Sequence, residues 1–210
     1  NRFVAALADA LAARGDQAVF ALDDDDIDIV LITDPRSRNP QLAFTPGAVW
    51  RYMAGRGRAL IVHRINECDE RKGTRTMNFR LRLTNYCADH TVFIASWLRE
   101  LDVWRREGTS SVILNGADPG VFNSEGRRPW GGDGPLRIVT HHWGAHPMKG
   151  FDVYARLDAM LGEPPWRERF EFTYIGNLPD GFAFANARYA PPMDGPALAG
   201  ELRRHHVYLS

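Results

Sequence analysis

The chain has 210 residues, enough for one large or two small domains. Apolar residues make up 44% and charged residues 25%, a balance that excludes wholesale disorder and permits a buried core. Lysine plus arginine and aspartate plus glutamate number 26 each, so no net field gathers nucleic acid and that partner class is disfavoured, while local basic patches stay allowed.

The segment Asn1 to Arg14 carries Phe3, Leu7, Ala10 and Leu11 at helical spacing, with Gly15 as its C-terminal cap. A strand is expected at Ala18 to Leu22, then a polar break at Asp23 to Asp26 and a β-branched strand at Ile27 to Thr33, stopped by Asp34-Pro35. A helix over Gly47 to Ala54 leads to a strand at Ala59 to His63 and a charged loop from Arg64 to Thr76. A helix from Asn78 to Ala88, a strand at Thr91 to Ala95, a helix capped by Ser96 and a strand at Ser111 to Leu114 complete this half. Glycine, proline and charge break the pattern at Asn123 to Pro135, which reads as an interdomain linker. A strand at Leu136 to Thr140, a helix at Gly150 to Leu161 and a strand at Phe170 to Ile175 follow. A short strand around Asn186 to Tyr189, a helix from Pro196 to Arg204 and a strand at Val207 to Leu209 end the chain.

Strands alternating with helices predict α/β architecture with parallel sheets covered on both faces. The expected domains are 1–122, the linker 123–135, and 136–210. The chain opens inside a helix pattern and ends on a strand, so both ends read as cuts through a fold, with the second domain incomplete. Cys68 and Cys87 form neither a disulfide framework nor a zinc spacing and read as reduced thiols. No apolar stretch approaches the roughly 20 residues of a membrane helix.

The most informative stretch runs from Leu136 to Leu161. A strand ends in Thr140-His141-His142-Trp143, a loop carries Pro147, and Lys149-Gly150-Phe151-Asp152 opens an amphipathic helix. Ligands of parallel sheets bind at the carboxyl ends of strands, and a helix N-terminus presents free N–H groups and a positive dipole end that suit phosphate. Lys149 adds a movable charge, and Gly150 allows close approach to the backbone.

Two segments resemble the family-four glycosyltransferases of the GT-B fold. One is Val112 to Asp118 followed by Phe122, similar to the strand and turn that leave the first domain. The other is Lys149-Gly150-Phe151-Asp152 after its strand, similar to the segment that meets the donor diphosphate. Ala88-Asp89 to Trp97-Leu98 resembles the part that precedes the exit strand. The resemblance implies two Rossmann-like domains, an acceptor domain and a donor domain. It implies retaining transfer of a sugar from a nucleotide-diphosphate donor to a saccharide or glycolipid hydroxyl, with no cofactor and no obligatory metal. A cytoplasmic location, with peripheral contact at the inner face of a membrane, goes with it.

On that resemblance Lys149, Gly150 and His142 hold the donor phosphate. The loop that begins after the strand ending at His63 supplies the acceptor side: Asn66 and Asp69 as catalytic candidates, Arg64 and Glu67 as acceptor-binding ones. An arginine that many members carry shortly before the lysine is replaced by Gly144 or its neighbours, leaving His142 or His146 to supply a second contact. The family's paired-glutamate motif does not occur within these residues, so turnover by this chain alone is not expected. Within the same fold, a nucleotide-sugar epimerase is the alternative activity, and a non-catalytic binding fragment is the alternative of another class.

Other features read as structural. Asp23 to Asp26 with Asp28 is a solvated run rather than a cation site. His141, His142 and His146 lack zinc spacing, since neighbours on a strand point to opposite faces. His205 and His206 read as packing or surface groups. Neither a Gly-x-x-x-x-Gly-Lys loop nor a Gly-x-Ser-x-Gly elbow is present, which disfavours a P-loop nucleotidase and a serine hydrolase.

Overall fold

The computed structural model describes residues 2–36, 39, 42–56 and 58–210, the side chains of Arg56 and Lys72 excepted; Asn1, the first residue of the expected helix, lies outside them. The architecture is mixed α/β, with two four-stranded parallel sheets. The chain divides into two compact units, Asn1–Asn115 and Gly116–Ser210. The sequence reading set the first domain to end at residue 122; here 116–122 and the glycine-rich stretch 123–135 fold with the second unit. Arg203 fastens this stretch by donating to the carbonyls of Val121 and Asn123 at 2.7 and 3.3 Å.

In the first unit, α1 (Arg2–Ala12) ends on Gly15, whose φ of +88° turns the chain back so that Asp16 N–H reaches the carbonyl of Leu11 at 3.0 Å. The strand expected at Ala18 to Leu22 does not form. Val19 and Phe20 are exposed, and only Leu22 and Ile27 of the segment pack on the nearby core. With the backbone unpaired here, β-propensity alone does not make a strand. The sheet consists of β1 (Ile29–Ile32), β2 (Leu60–Ile65), β3 (His90–Phe93) and β4 (Thr109–Val112), in that spatial order.

The helices are α2 (Pro46–Arg56), α3 (Asp69–Lys72) and α4 (Met77–Asn85). Ser96 does not cap a helix: a short 3₁₀ turn spans Ser96–Glu100, and its cap position is Ala95. Two clusters make the core. Val30, Ile32 and Ile61 pack with Val49 of α2, and Ile65, Phe93 and Leu98 pack with Leu81 of α4.

In the second unit, β5 (Leu136–His142) lies beside β6 (Phe170–Gly176), and β7 (Arg188–Ala190) lies beyond β6. The chain then returns through α7 (Gly195–Arg203) to β8 (Val207–Tyr208) on the other side of β5. Strand order therefore reverses between β5 and β8. In open parallel sheets, the carboxyl ends at such a reversal border a crevice, because the helices leaving the two strands cover opposite faces. Between β5 and β6 run α5 (Phe151–Leu161) and α6 (Pro164–Arg167).

Phe151, Tyr154, Asp158 and Leu161 recur at helical spacing and are the buried face of α5. Three are apolar or aromatic and pack on Phe172 and Tyr174. The fourth, Asp158, accepts the N–H groups of Ala185, Asn186 and Ala187 at 2.9, 2.8 and 2.6 Å. This buried carboxylate fixes the loop that enters β7. Among the described residues no helix is long and apolar enough to cross a membrane.

Candidate functional site

The second unit brings several polar groups together where β5 ends. Thr140 and His142 alternate with His141 along the strand, and the two faces have different partners. His141 faces β8: its Nδ1 lies 3.2 Å from the hydroxyl of Tyr208. Thr140 donates to the carbonyl of Leu209 at 2.8 Å. His142 faces α5, with Nε2 2.6 Å from the hydroxyl of Tyr154. That hydroxyl also lies 3.4 Å from Thr140 Oγ1. A separation of 2.6 Å suits an O–H donor, and on that ground we assign the bond's proton to Tyr154 and the imidazole proton to Nδ1.

After the strand, Pro147–Lys149 forms a 3₁₀ turn in which Met148 N–H donates to His146 Nδ1 at 3.2 Å. Gly150 has a φ of +85° and ends this turn while serving as the N-cap of α5. A side chain here would be strained by the backbone and would press on the ring of Tyr154 at 3.4 Å. The turn thus sets Lys149 just before the first turn of α5, whose leading N–H groups have no partner within the helix. Lys149 is half-buried and makes no ion pair among the described residues.

Burial holds His142 below the ordinary imidazole pKa, and the charges of Lys149 and His141 act in the same direction. His142 is therefore neutral at neutral pH and is a hydrogen-bond donor through Nδ1, not a second cation. Lys149, Gly150 and His142, the expected phosphate set, lie together in this unit. His146 belongs to the turn.

Three residues of this site escaped the sequence reading. Gly176 ends β6 in register with His142, at a φ of +143°. A Cβ there would run into the His142 carbonyl group, 2.9 Å from its carbon. Asn177 donates to the carbonyl of Trp143 at 2.5 Å, and its own carbonyl accepts from Tyr174 at 2.8 Å. Desolvation, with Tyr154 and Tyr189 nearby, pushes the Tyr174 hydroxyl up to about 12, so it remains a donor. The third is Tyr154. Its position four residues after Gly150, on the face that looks back at the strand, was the available signal.

In the first unit, the expected loop from Arg64 is corrected. β2 continues to Ile65, with Arg64 opposite Val92 and Ile65 opposite Phe93, because Ile65 fills the core beside Phe93. Arg64 is only 7% exposed. It donates to Asn115 Oδ1 at 2.7 Å, and its guanidinium lies 3.9 Å from the ring centre of Phe3. Burial depresses its pKa without discharging it. β4 ends at Val112 rather than at Leu114, since β3 offers no partner beyond Phe93; Ile113 and Leu114 are exposed.

Glu67 lies 3.5 Å from Arg36, which also holds Asp34. The Asn66 carbonyl accepts from Arg71 at 3.2 Å. Asp69, a catalytic candidate on sequence, has both carboxylate oxygens engaged. It accepts from Thr74 at 2.5 Å and from the N–H groups of Met77 and Asn78 at 2.9 and 3.0 Å. Asn78 Oδ1 in return accepts from Asp69 N–H at 2.8 Å. Desolvation works against these bonds, but together they hold the Asp69 carboxyl below its ordinary range. Its observed task is to cap α4 from eight residues upstream.

His63 on the same strand is fully buried. Asn85 Nδ2 lies 3.2 Å from its Nδ1 and donates to Thr91 Oγ1, while Asn85 Oδ1 accepts from the N–H of Arg105. The amide orientation makes His63 Nδ1 an acceptor and puts the proton on Nε2, which has no partner. Desolvation lowers its pKa to about 4. Among the described residues no three histidine, cysteine, aspartate or glutamate side chains stand close enough to hold a metal ion. The chain matches no protein-family model and no curated protein.

Proposed function

We propose that the chain binds a nucleoside diphosphate at the end of β5 and belongs to a retaining, nucleotide-sugar-dependent glycosyltransferase of the GT-B type, built on two Rossmann-like domains. The observation that carries this reading is the coincidence of a strand-order reversal with a lysine at a helix start that makes no ion pair among the described residues. The reversal lies between β5 and β8. The loop leaving β5 delivers Lys149 and the N-terminus of α5 to that end. Such a mouth offers a row of N–H dipoles and one cation to a ligand with two linked phosphates.

The chemistry follows from charge. When the bond from the anomeric carbon to the diphosphate breaks, negative charge grows on the leaving oxygen. Dipoles already oriented, with an ammonium beside them, stabilise that charge without having to reorganise. In this reading Lys149 is the leaving-group stabiliser, Gly150 admits the phosphate to the backbone, and neutral His142 donates through Nδ1. Tyr154, by donating to Nε2, fixes that tautomer, and Gly176 lets β6 lie close to the strand end.

On the acceptor side, Arg64, Asn66 and Glu67 are the hydroxyl-binding candidates. Arg64 is the least accessible of the three, its guanidinium held by Asn115 and the ring of Phe3. Asp69 keeps a positioning role. The acceptor is a saccharide or glycolipid, the donor enters as substrate, no metal is needed, and a peripheral station at the inner membrane face fits such an acceptor.

The test is a ¹⁵N titration with uridine and guanosine diphosphates, followed by incubation with labelled nucleotide-sugars and pooled glycan and glycolipid acceptors. The expected result is saturable shifts at the N–H groups of Phe151, Asp152 and Val153, and a labelled product. Shifts confined to other parts of the chain contradict the reading.

A further inference from the structure

The second unit holds a recess of about 1030 Å³ at the edge of the sheet where β6 begins, the edge opposite to Lys149. Six arginines line it: Arg128, Arg137, Arg167, Arg188, Arg203 and Arg204. The whole chain has no net charge, so this is a strong local concentration.

The local acids do not balance it. Glu171 lies on the wall. Glu201, nearly buried, takes both Arg188 and Arg204 at 3.0 Å. The Arg188 contact to Oε1 is an ion pair without hydrogen-bond geometry. Arg128, Arg137, Arg167 and Arg203 make no ion pair among the described residues. Arg203 is spent on the carbonyls of Val121 and Asn123, and the Arg137 guanidinium lies 3.1 Å from His206 Nε2.

Three helices, α5, α6 and α7, end here, and arginine commonly answers the negative end of a helix. Each end is equivalent to at most about half a charge, so three ends account for fewer than two arginines and not for the remainder. Desolvation first, and then the charges of Arg137, His205 and Arg127, hold the half-buried His206 below the ordinary imidazole range, against the opposing charge of Glu171.

We propose that this recess binds clustered phosphate groups, carried by a soluble polyphosphate or by the headgroups of an anionic phospholipid. Guanidinium forks match phosphate oxygens in pairs, and a concave wall lets several forks act on neighbouring phosphates. RNA is the weaker occupant. Phe170 and Phe172 border the recess but pack against the core, and the neutral chain lacks the long-range field of an RNA binder. The site is independent of the diphosphate reading.

The test is calorimetry of the 210-residue chain with inorganic tripolyphosphate, beside sedimentation with phosphatidylglycerol vesicles and with phosphatidylcholine vesicles as the neutral control. Arg128→Glu/Arg167→Glu removes two exposed arginines that hold no other group, so the fold is kept. Lys149→Ala separates this site from the other anion site. The expected result is saturable binding that persists in Lys149→Ala, weakens at least about tenfold when the double variant is added to Lys149→Ala, and falls with salt. Tripolyphosphate binding identifies a soluble ligand; binding to phosphatidylglycerol vesicles alone identifies a lipid surface. Failure of both probes, equal binding when the double variant is added, loss with Lys149→Ala, or tighter binding of a single-stranded RNA oligonucleotide than of either probe overturns the proposal.

Discussion

His142 and Gly176 stand opposite each other at the ends of β5 and β6, and the backbone of one occupies the space that a side chain on the other would need. The end of β5, which carries His142 and leads to Lys149, is thus packed against bare backbone. Gly176→Ala adds a Cβ at a left-handed φ and against a carbonyl that belongs to the ladder. Chemical denaturation is expected to show a loss of about 2–4 kcal/mol. The His142 ring resonances are expected to move with it.

Asp158 supports the same unit from beneath. Its carboxylate is buried and accepts three backbone N–H groups from the loop before β7. Asp158→Ala leaves those donors unanswered, and urea unfolding is expected to give a loss of about 3 kcal/mol. Asp158→Asn retains one acceptor oxygen and recovers part of it.

His63 makes the first unit sensitive to acid. Its folded pKa of about 4 lies below the unfolded value near 6.5, so the folded state excludes a proton that the unfolded chain takes up. The stabilisation is full above pH 6.5 and is lost as pH falls from there toward 4, to an extent of about 3 kcal/mol. Lowered values at His141, His142, His205 and His206 act with the same sign, so the comparison is between variants. His63→Leu is expected to flatten the slope of stability against pH across this window, measured by denaturant titration at a series of pH values.

The strand-and-helix order was legible in the sequence because apolar runs and helical spacing were clear. Phe170 to Ile175 and Gly150 to Leu161 lie within a residue of the observed β6 and α5. The misplaced parts depend on partners. Ala18 to Leu22 has strand residues but no neighbouring strand to pair with, while Arg64 is polar yet continues β2 because Val92 and Phe93 lie alongside. The helix start that follows Lys149 could be read from spacing. The capping role of Asp69 could not, since its partners at Thr74, Met77 and Asn78 meet it only after the intervening turn of α3 folds. The reversal of strand order at β5 and β8 is likewise a property of the assembled sheet.

Neutral His142 gives the candidate site its own pH response. A bound diphosphate favours the protonated ring, so acidification below the ordinary imidazole range is expected to strengthen nucleotide binding. The effect should exceed that in His142→Gln, in which the nucleotide and His141 still titrate. Affinity against pH for the two proteins checks this.

Calorimetric titration of the chain and of Lys149→Ala with uridine and guanosine diphosphates tests the central claim most directly. The account predicts binding of one of the two nucleotides, weakened about tenfold or more without the ammonium. Equal affinity in both proteins, or no heat from either, contradicts it.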